Sequence, residues 1–114
     1  MNIVTESDPF IVQANYFKAL AHPIRLQILA ILRQGEACVC HLEAILQRRQ
    51  AYISQQLMVL KEAGLLAERK EGLFVFYSLT DPRLGTILDS SLPDVPLPAA
   101  PMNGCACPTC VRDE

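Results

Sequence analysis

Apolar residues recur at helical spacing through most of the chain up to about residue 91, and polar breaks divide them into short helices. The first run follows Asp8-Pro9, which supply a carboxylate cap and a proline at the first helical position. A second run follows His22-Pro23 and ends at Gln34-Gly35. Its apolar side chains cover more than one stripe, as expected of a helix buried on two sides.

The middle of the chain predicts two more short helices followed by a β-hairpin and a last helix. The helices cover 38–46 and about 50–63, the strands cover 66–70 and 74–79 with Gly72 at the turn, and the last helix runs from Asp81-Pro82 to about Ser91. Two helices with a tight connection and a hairpin form a winged helix-turn-helix. We therefore predict a mainly α fold with a small β-hairpin in a domain of residues 1–91.

The composition changes sharply after residue 91. Four prolines follow within a short stretch and forbid a helix, so residues 92–114 are predicted to be a proline-rich linker and a cysteine-rich tail: Pro93, Pro96, Pro98 and Pro101, then Cys105, Cys107 and Cys110.

The second helix of the helix-turn-helix is the one that lies in a DNA major groove in this architecture. The chain has a formal net charge of −2, so overall charge gives no support for DNA binding. Residues 46–72, however, hold five basic and three acidic side chains. The predicted DNA contacts on this helix and the wing are Arg48, Arg49, Gln50, Tyr52, Ser54, Gln55, Gln56, Lys61, Arg69 and Lys70.

Three segments carry a resemblance to a known family. They are Leu20–Leu29 (LAHPIRLQIL), Cys38–Leu42 (CVCHL) and Gln50–Leu66 (QAYISQQLMVLKEAGLL). Together they resemble the ArsR/SmtB family of metal-sensing repressors over about residues 10–90. The resemblance implies a homodimer built from the first and last helices, binding to double-stranded operator DNA with an inverted repeat, and release of that DNA when an effector binds.

The five cysteines indicate thiol chemistry under reducing conditions. The start of the chain carries acidic Glu6 and Asp8 in place of the basic residues of a signal peptide, and no apolar run approaches a membrane span, so we expect a cytoplasmic protein without a membrane partner. In the cytosol thiols stay reduced, which favours metal binding or redox sensing over structural disulfides. Cys38 and Cys40 lie where the family has its Cys-Val-Cys sensor motif.

Thiolate ligands select soft ions, so trivalent arsenic, as arsenite, is the first expectation, and Cd(II), Pb(II) and Zn(II) are the alternatives. On a regular helix Cys38 and Cys40 would lie roughly 200° apart, whereas in an extended first turn they point the same way. Arsenic-sensing relatives often have a third cysteine where this chain has Glu43. Cys105, Cys107 or Cys110 would supply the missing metal ligand, within one subunit or across two.

Two other functions stay open at this point. A thiol-redox or persulfide sensor of the same fold would pair its cysteines without binding a metal. A small metal-buffering protein would use the tail cysteines, with the helical domain serving for dimerisation alone. An enzyme is not expected, because the chain has no recognisable catalytic set.

Overall fold

The structure is a computed structural model that describes residues 8–91. Within them the chain forms five helices and a three-stranded antiparallel sheet: α1 (Pro9–Leu20), α2 (Pro23–Leu32), β1 (Ala37–Cys38), α3 (Val39–Leu46), α4 (Gln50–Glu62), β2 (Leu66–Glu71), β3 (Phe74–Leu79) and α5 (Arg83–Ser91). The predicted fold class is confirmed. The predicted tail of residues 92–114, with Cys105, Cys107 and Cys110, lies outside the described residues.

The first two helices begin at the caps that the sequence predicts. The Asp8 carboxylate accepts a hydrogen bond from the backbone N–H of Phe10 at 2.9 Å, and Pro9 is the first helical residue. His22 caps α2, since its Nδ1 accepts from the N–H of Ile24 at 3.1 Å. Each cap satisfies a backbone donor that a helix start leaves without an intrahelical partner.

The core lies where α2 crosses the helix-turn-helix. Several of its side chains are fully buried, and they come from α2, α3, α4 and α5: Ile28, Leu29, Leu42, Ile53, Leu57, Leu60 and Leu84. Because α4 buries Ile53, Leu57 and Leu60 on one face, its rotation about its own axis is determined, and so is the face that it turns to solvent.

The sheet has one strand that the sequence pattern did not indicate. The hairpin β2–β3 turns at Gly72, whose φ of 61° is a backbone conformation that glycine adopts without strain. β1 then pairs with the other edge of β3, with Ala37 opposite Tyr77 and Cys38 opposite Phe76. The start of α3 is thereby attached to the wing.

The helices of residues 8–91 are short. None of the helices described there combines the length and the apolar character of a membrane span.

Candidate nucleic-acid interface and thiol site

The helix-turn-helix consists of α3, a three-residue turn and α4. The turn begins at Gln47, which adopts the left-handed conformation (φ 57°, ψ 44°) as the C-cap of α3. On α4 the side chains of Ala51, Gln55 and Met58 are exposed on the side opposite to the buried apolar face, while Tyr52 and Ser54 are partly buried at the flanks. This face of α4 is the one available to a major groove.

Gln56, which the sequence predicted as a DNA contact, is buried instead. Its residue exposure is only 9%, and its Oε1 accepts a hydrogen bond from Nη1 of Arg25 at 2.9 Å. Arg25 on α2 also donates to the backbone carbonyls of Ala19 and Lys18. Gln56 thus holds α4 against α2, and its amide is turned away from the exposed face of α4.

The N-terminus of α4 concentrates positive charge. Arg49 is the N-cap residue and makes no side-chain capping hydrogen bond, and the first turn contains no acidic residue. The guanidinium of Arg48 lies 5.9 Å from the centre of the Tyr52 ring, and Gln50 is exposed beside it. Uncapped backbone N–H groups together with arginines form a favourable environment for a phosphate.

Lys61, at the other end of α4, is paired with a residue of the wing. Its ammonium forms an ion pair with the Glu68 carboxylate of β2. The hydrogen bond raises the pKa of Lys61 and lowers the pKa of Glu68. To bind a DNA phosphate, Lys61 would therefore have to exchange the Glu68 carboxylate for the phosphate.

Arg69 on β2 has two carboxylate partners. Its Nε and Nη2 donate to the two oxygens of Glu36 at 3.0 and 2.8 Å, and its Nη1 donates to Glu71 at 2.8 Å. The hydrogen bond to Glu36 is the main cause of the raised pKa of Arg69, and the same bond lowers the pKa of Glu36. Lys70 beside it is exposed.

The structure brings the two sensor-motif cysteines together. Cys38 is the N-cap of α3 with extended backbone (φ −89°, ψ 167°), and Cys40 lies in the first turn. Their Cα atoms are 5.4 Å apart, and their sulfur atoms are joined in a disulfide. The extended geometry is the one for which the sequence predicted convergence. The Cys38 sulfur also accepts a hydrogen bond from the backbone N–H of His41 at 3.4 Å.

The thiol site is packed against the wing. Cys38 and Phe76 are both buried, with exposures of 4% and 0%, and Cys40 and Phe74 pack around them. Within residues 8–91 no group of three or more histidine, cysteine or acidic side chains is placed to hold one metal ion. In the part of the chain that the structure describes, this site thus contains two sulfurs, and they are bonded to each other.

Sequence reasoning missed the partners of the predicted residues. Glu36 and Arg25 were not singled out, because Glu36 is 33 residues from Arg69 and Arg25 is 31 residues from Gln56. No local pattern links residues so far apart. A charged residue just before the cysteine motif was the only available signal for Glu36.

A further surface is formed by α1 and α5. Phe10, Val12 and Phe17 on α1 are 79%, 51% and 49% exposed. Beside them a cleft of about 370 Å³ is lined by Val12, Tyr16, Phe17 and Ile87 among others. Val12 and Phe17 thus place exposed apolar surface in one cleft, which is typical of an association surface.

Comparison with known proteins agrees with this geometry. Residues 22–68 match the family described as "Bacterial regulatory protein, arsR family". The chain is 44% identical over 73 residues to the biofilm growth-associated repressor of Agrobacterium fabrum, and 43% identical over 72 residues to the arsenical resistance operon repressor of Escherichia coli K12. These matches cover 64% and 62% of this chain and 62% of each relative.

Other relatives are matched over more of their length. An HTH-type transcriptional regulator of Methanocaldococcus jannaschii is 42% identical over 76 residues, which is 66% of this chain and 85% of that protein. The solved structure of HlyU from Vibrio cholerae superposes with a TM-score of 0.69 at 32% identity, over 74% of this chain and 91% of that one. The structure of the repressor BigR from Xylella fastidiosa superposes with a TM-score of 0.66 at 33% identity, over 76% of this chain and 92% of that one.

The fold and the exposed face of α4 define a winged helix-turn-helix regulator. The chain belongs to the ArsR/SmtB family of winged-helix regulators, as its sequence motifs indicated.

Proposed function

We propose that this chain is a homodimeric transcriptional repressor that binds operator DNA while its thiols are reduced and releases it when Cys38 and Cys40 bind a soft metal or metalloid ion. One observation carries the proposal: the two sulfurs meet at the start of α3, the first helix of the helix-turn-helix. A change in that position acts directly on the element that carries α4. Binding of DNA on the chromosome would put the protein in the cytoplasm, and its function is binding without catalysis.

The interface we propose consists of the exposed face of α4 and the wing. It retains the predicted residues Arg48, Arg49, Gln50, Tyr52, Ser54, Gln55, Lys61, Arg69 and Lys70, and omits Gln56 because that side chain is buried. Gln55, exposed at the centre of α4, is suited to bidentate pairing with adenine. The cations supply phosphate contacts and make the affinity dependent on salt.

Arsenite is the effector that we place first. Two neutral thiols, those of Cys38 and Cys40, exchange for two hydroxyl groups of arsenous acid and release two water molecules, so no electrons are transferred. Soft sulfur ligands are the donors that such an ion prefers. The E. coli relative is named for arsenical resistance, and a relative from Staphylococcus aureus, 37% identical over 79 residues, is named for cadmium resistance. Cd(II), Pb(II) and Zn(II) are therefore the alternatives.

A third ligand from the tail would complete the site. Residues 8–91 bring two cysteines to this position, and a trigonal sulfur site needs one more. Cys105, Cys107 and Cys110 are the candidates. About fourteen residues separate Ser91 from Cys105, which in polyproline geometry span roughly 40 Å, enough to reach the sensor cysteines of either subunit.

The dimer would form through α1 and α5. Val12, Phe17 and Ile87 line the cleft between these helices, and two copies that share the surface would bury the exposed apolar side chains. A two-fold dimer presents two α4 helices to successive turns of the DNA major groove. If effector binding changes the distance between the two α4 helices, they no longer fit successive turns of the groove and the operator is released.

The test is fluorescence anisotropy of a labelled duplex from the protein's own promoter. Reduced full-length protein is titrated onto the duplex in parallel with arsenite, cadmium, lead and zinc, and again after deletion of residues 102–114. We expect arsenite to weaken binding about a hundredfold, which corresponds to about 2.7 kcal/mol of coupling between ion and DNA. A weaker response in the truncated protein would place a ligand in the tail. Operator binding that no ion changes would refute the metal-responsive function.

A second function, a thiol-redox repressor, is favoured by the disulfide between Cys38 and Cys40. Here the two thiols lose two protons and two electrons to an oxidant, and the S–S bond forms without a metal. Diamide, which takes up both protons and both electrons as it becomes a hydrazine, is the probe. If diamide releases the operator, dithiothreitol restores binding and arsenite has no effect, the redox function replaces the metal-responsive one.

A further inference from the structure

The thiol site and the wing share one buried contact. Cys38 of β1 lies opposite Phe76 of β3, and both side chains are buried together. On its other side the Phe76 ring is covered by Arg69, whose guanidinium carbon is 4.7 Å from the ring centre. A cation that is predicted to contact phosphate is therefore separated from the sensor cysteines by a single aromatic ring.

Glu36 connects the same two places along the chain. It immediately precedes β1, and both of its carboxylate oxygens accept hydrogen bonds from Arg69. The position of Glu36 therefore depends on whether β1 stays paired with β3. Glu71, the other carboxylate partner of Arg69, belongs to β2 itself and does not depend on β1.

The conformation of Cys38 determines whether β1 exists. Its sulfur meets that of Cys40 because its backbone is extended, and this extended backbone is also what pairs with Phe76. If α3 lengthened by a residue or two to include Cys38, the two sulfurs would lie roughly 200° apart and the strand pairing would be lost. A closed thiol pair, in which the sulfurs of Cys38 and Cys40 meet, therefore occurs together with the pairing of β1 to β3.

We propose that Glu36 is a regulatory positioning residue that competes with an operator phosphate for Arg69, and that closure of the Cys38–Cys40 pair favours the Glu36–Arg69 ion pair. When the thiol pair opens, β1 separates from β3 and Glu36 moves away from Arg69. Arg69 can then bind an operator phosphate. This inference rests on the proposed function, because it needs an effector that closes the thiol pair. It adds a second route to the operator, through the wing, beside the one through α3.

The test compares Glu36→Gln with Glu71→Gln in the full-length protein. Both substitutions remove one negative charge from a partner of Arg69, but only Glu36 is attached to β1. Anisotropy measurements with the promoter duplex give the ratio of dissociation constants with and without arsenite. We expect Glu36→Gln to lower this ratio about threefold, as befits a partly exposed ion pair, and Glu71→Gln to leave it at the wild-type value.

The salt dependence gives an independent readout. In the wild type, the slope of log K against log salt should be smaller by about 1 per protomer with arsenite than without it, because Arg69 no longer contacts phosphate. Glu36→Gln should abolish this difference. In an Arg69→Ala background, Glu36→Gln should have no effect on the ratio.

Three results would overturn the inference while the proposed function still holds. The first is a Glu36→Gln protein that keeps the full response to arsenite shown by the wild type. The second is a loss of response in Glu71→Gln that equals the loss in Glu36→Gln. The third is a wild-type salt slope that arsenite leaves unchanged. If the wild type binds the operator but does not respond to arsenite, the metal-responsive function fails. Operator release by diamide is then measured with the same variants. If the wild type responds to neither arsenite nor diamide, the inference is overturned together with the proposed function.

Discussion

Two cysteine sulfurs at one helix start carry the proposed response, and serine in place of either removes one of them. Serine is a good helix N-cap, so Cys38→Ser keeps a cap on α3. A hydroxyl is a poor ligand for a soft ion. We expect Cys38→Ser and Cys40→Ser each to bind the promoter duplex with wild-type affinity and to lose the release by arsenite in the anisotropy titration.

The control for this pair is Val39→Ala, which leaves both sulfurs in place. It should release the operator as the wild type does. Normal release by both serine variants would show that the effector binds elsewhere.

Arg25 illustrates how one partly buried side chain joins several elements. It donates to Gln56 of α4 and to two carbonyls at the end of α1. Arg25→Ala leaves the buried Gln56 amide without this donor, so we expect the free energy of unfolding to fall by about 2–3 kcal/mol, measured by urea denaturation. Arg33→Ala is the matched control, because the Arg33–Asp89 ion pair is exposed. It should cost less than about 1 kcal/mol, and an equal loss in both variants would contradict this account.

At the scale of elements, the N-cap residue of α4, Arg49, lowers the stability of the helix but favours binding to DNA phosphate. Arg49 supplies no capping hydrogen bond and places a positive charge at the positive end of the helix dipole. Arg49→Ser should therefore stabilise the protein by about 1 kcal/mol while reducing the salt slope of operator binding by about 1 per protomer. Thermal unfolding and salt-dependent anisotropy measure the two effects.

The comparison variant is Arg49→Ala, which removes the charge without adding a cap. It should weaken operator binding as Arg49→Ser does but gain less stability. If Arg49→Ser binds DNA as tightly as the wild type, the N-terminus of α4 is not a phosphate contact.

At the scale of the whole molecule, operator binding should depend on the α1–α5 surface. Val12 is half exposed on α1 and lines the cleft with Ile87 of α5. Val12→Glu would place a charge at the centre of the proposed dimer interface, where burial is costly. We expect a monomer by light scattering and at least a tenfold loss of operator affinity, because one protomer reaches only one half-site.

Leu73→Glu provides the control for that measurement. Leu73 is 97% exposed at the tip of the wing and does not line the α1–α5 cleft, so the same change of charge should leave the dimer intact. A Val12→Glu protein that keeps the mass of a dimer would place the interface elsewhere.

Local patterns were sufficient for the five helices and the β2–β3 hairpin of residues 8–91. The apolar spacing, the caps Asp8 and His22 and the glycine turn at Gly72 each depend on residues within a few positions of one another, and the structure has a helix or a turn at each of them. The face that α4 turns to solvent also depends on local spacing, because the buried Ile53, Leu57 and Leu60 lie three or four positions apart. The sequence motifs also sufficed for the family.

Only the tertiary structure decided which side chains meet. The contact of Gln56 with Arg25, that of Arg69 with Glu36 and the pairing of Cys38 with Phe76 all join residues that are more than thirty positions apart. Such contacts depend on how whole elements pack against one another, and the strand β1 is too short to leave a periodic pattern of its own. The amino-acid sequence by itself therefore determined the winged helix-turn-helix and its sensor motif, and tertiary packing decided how that motif is connected to the wing.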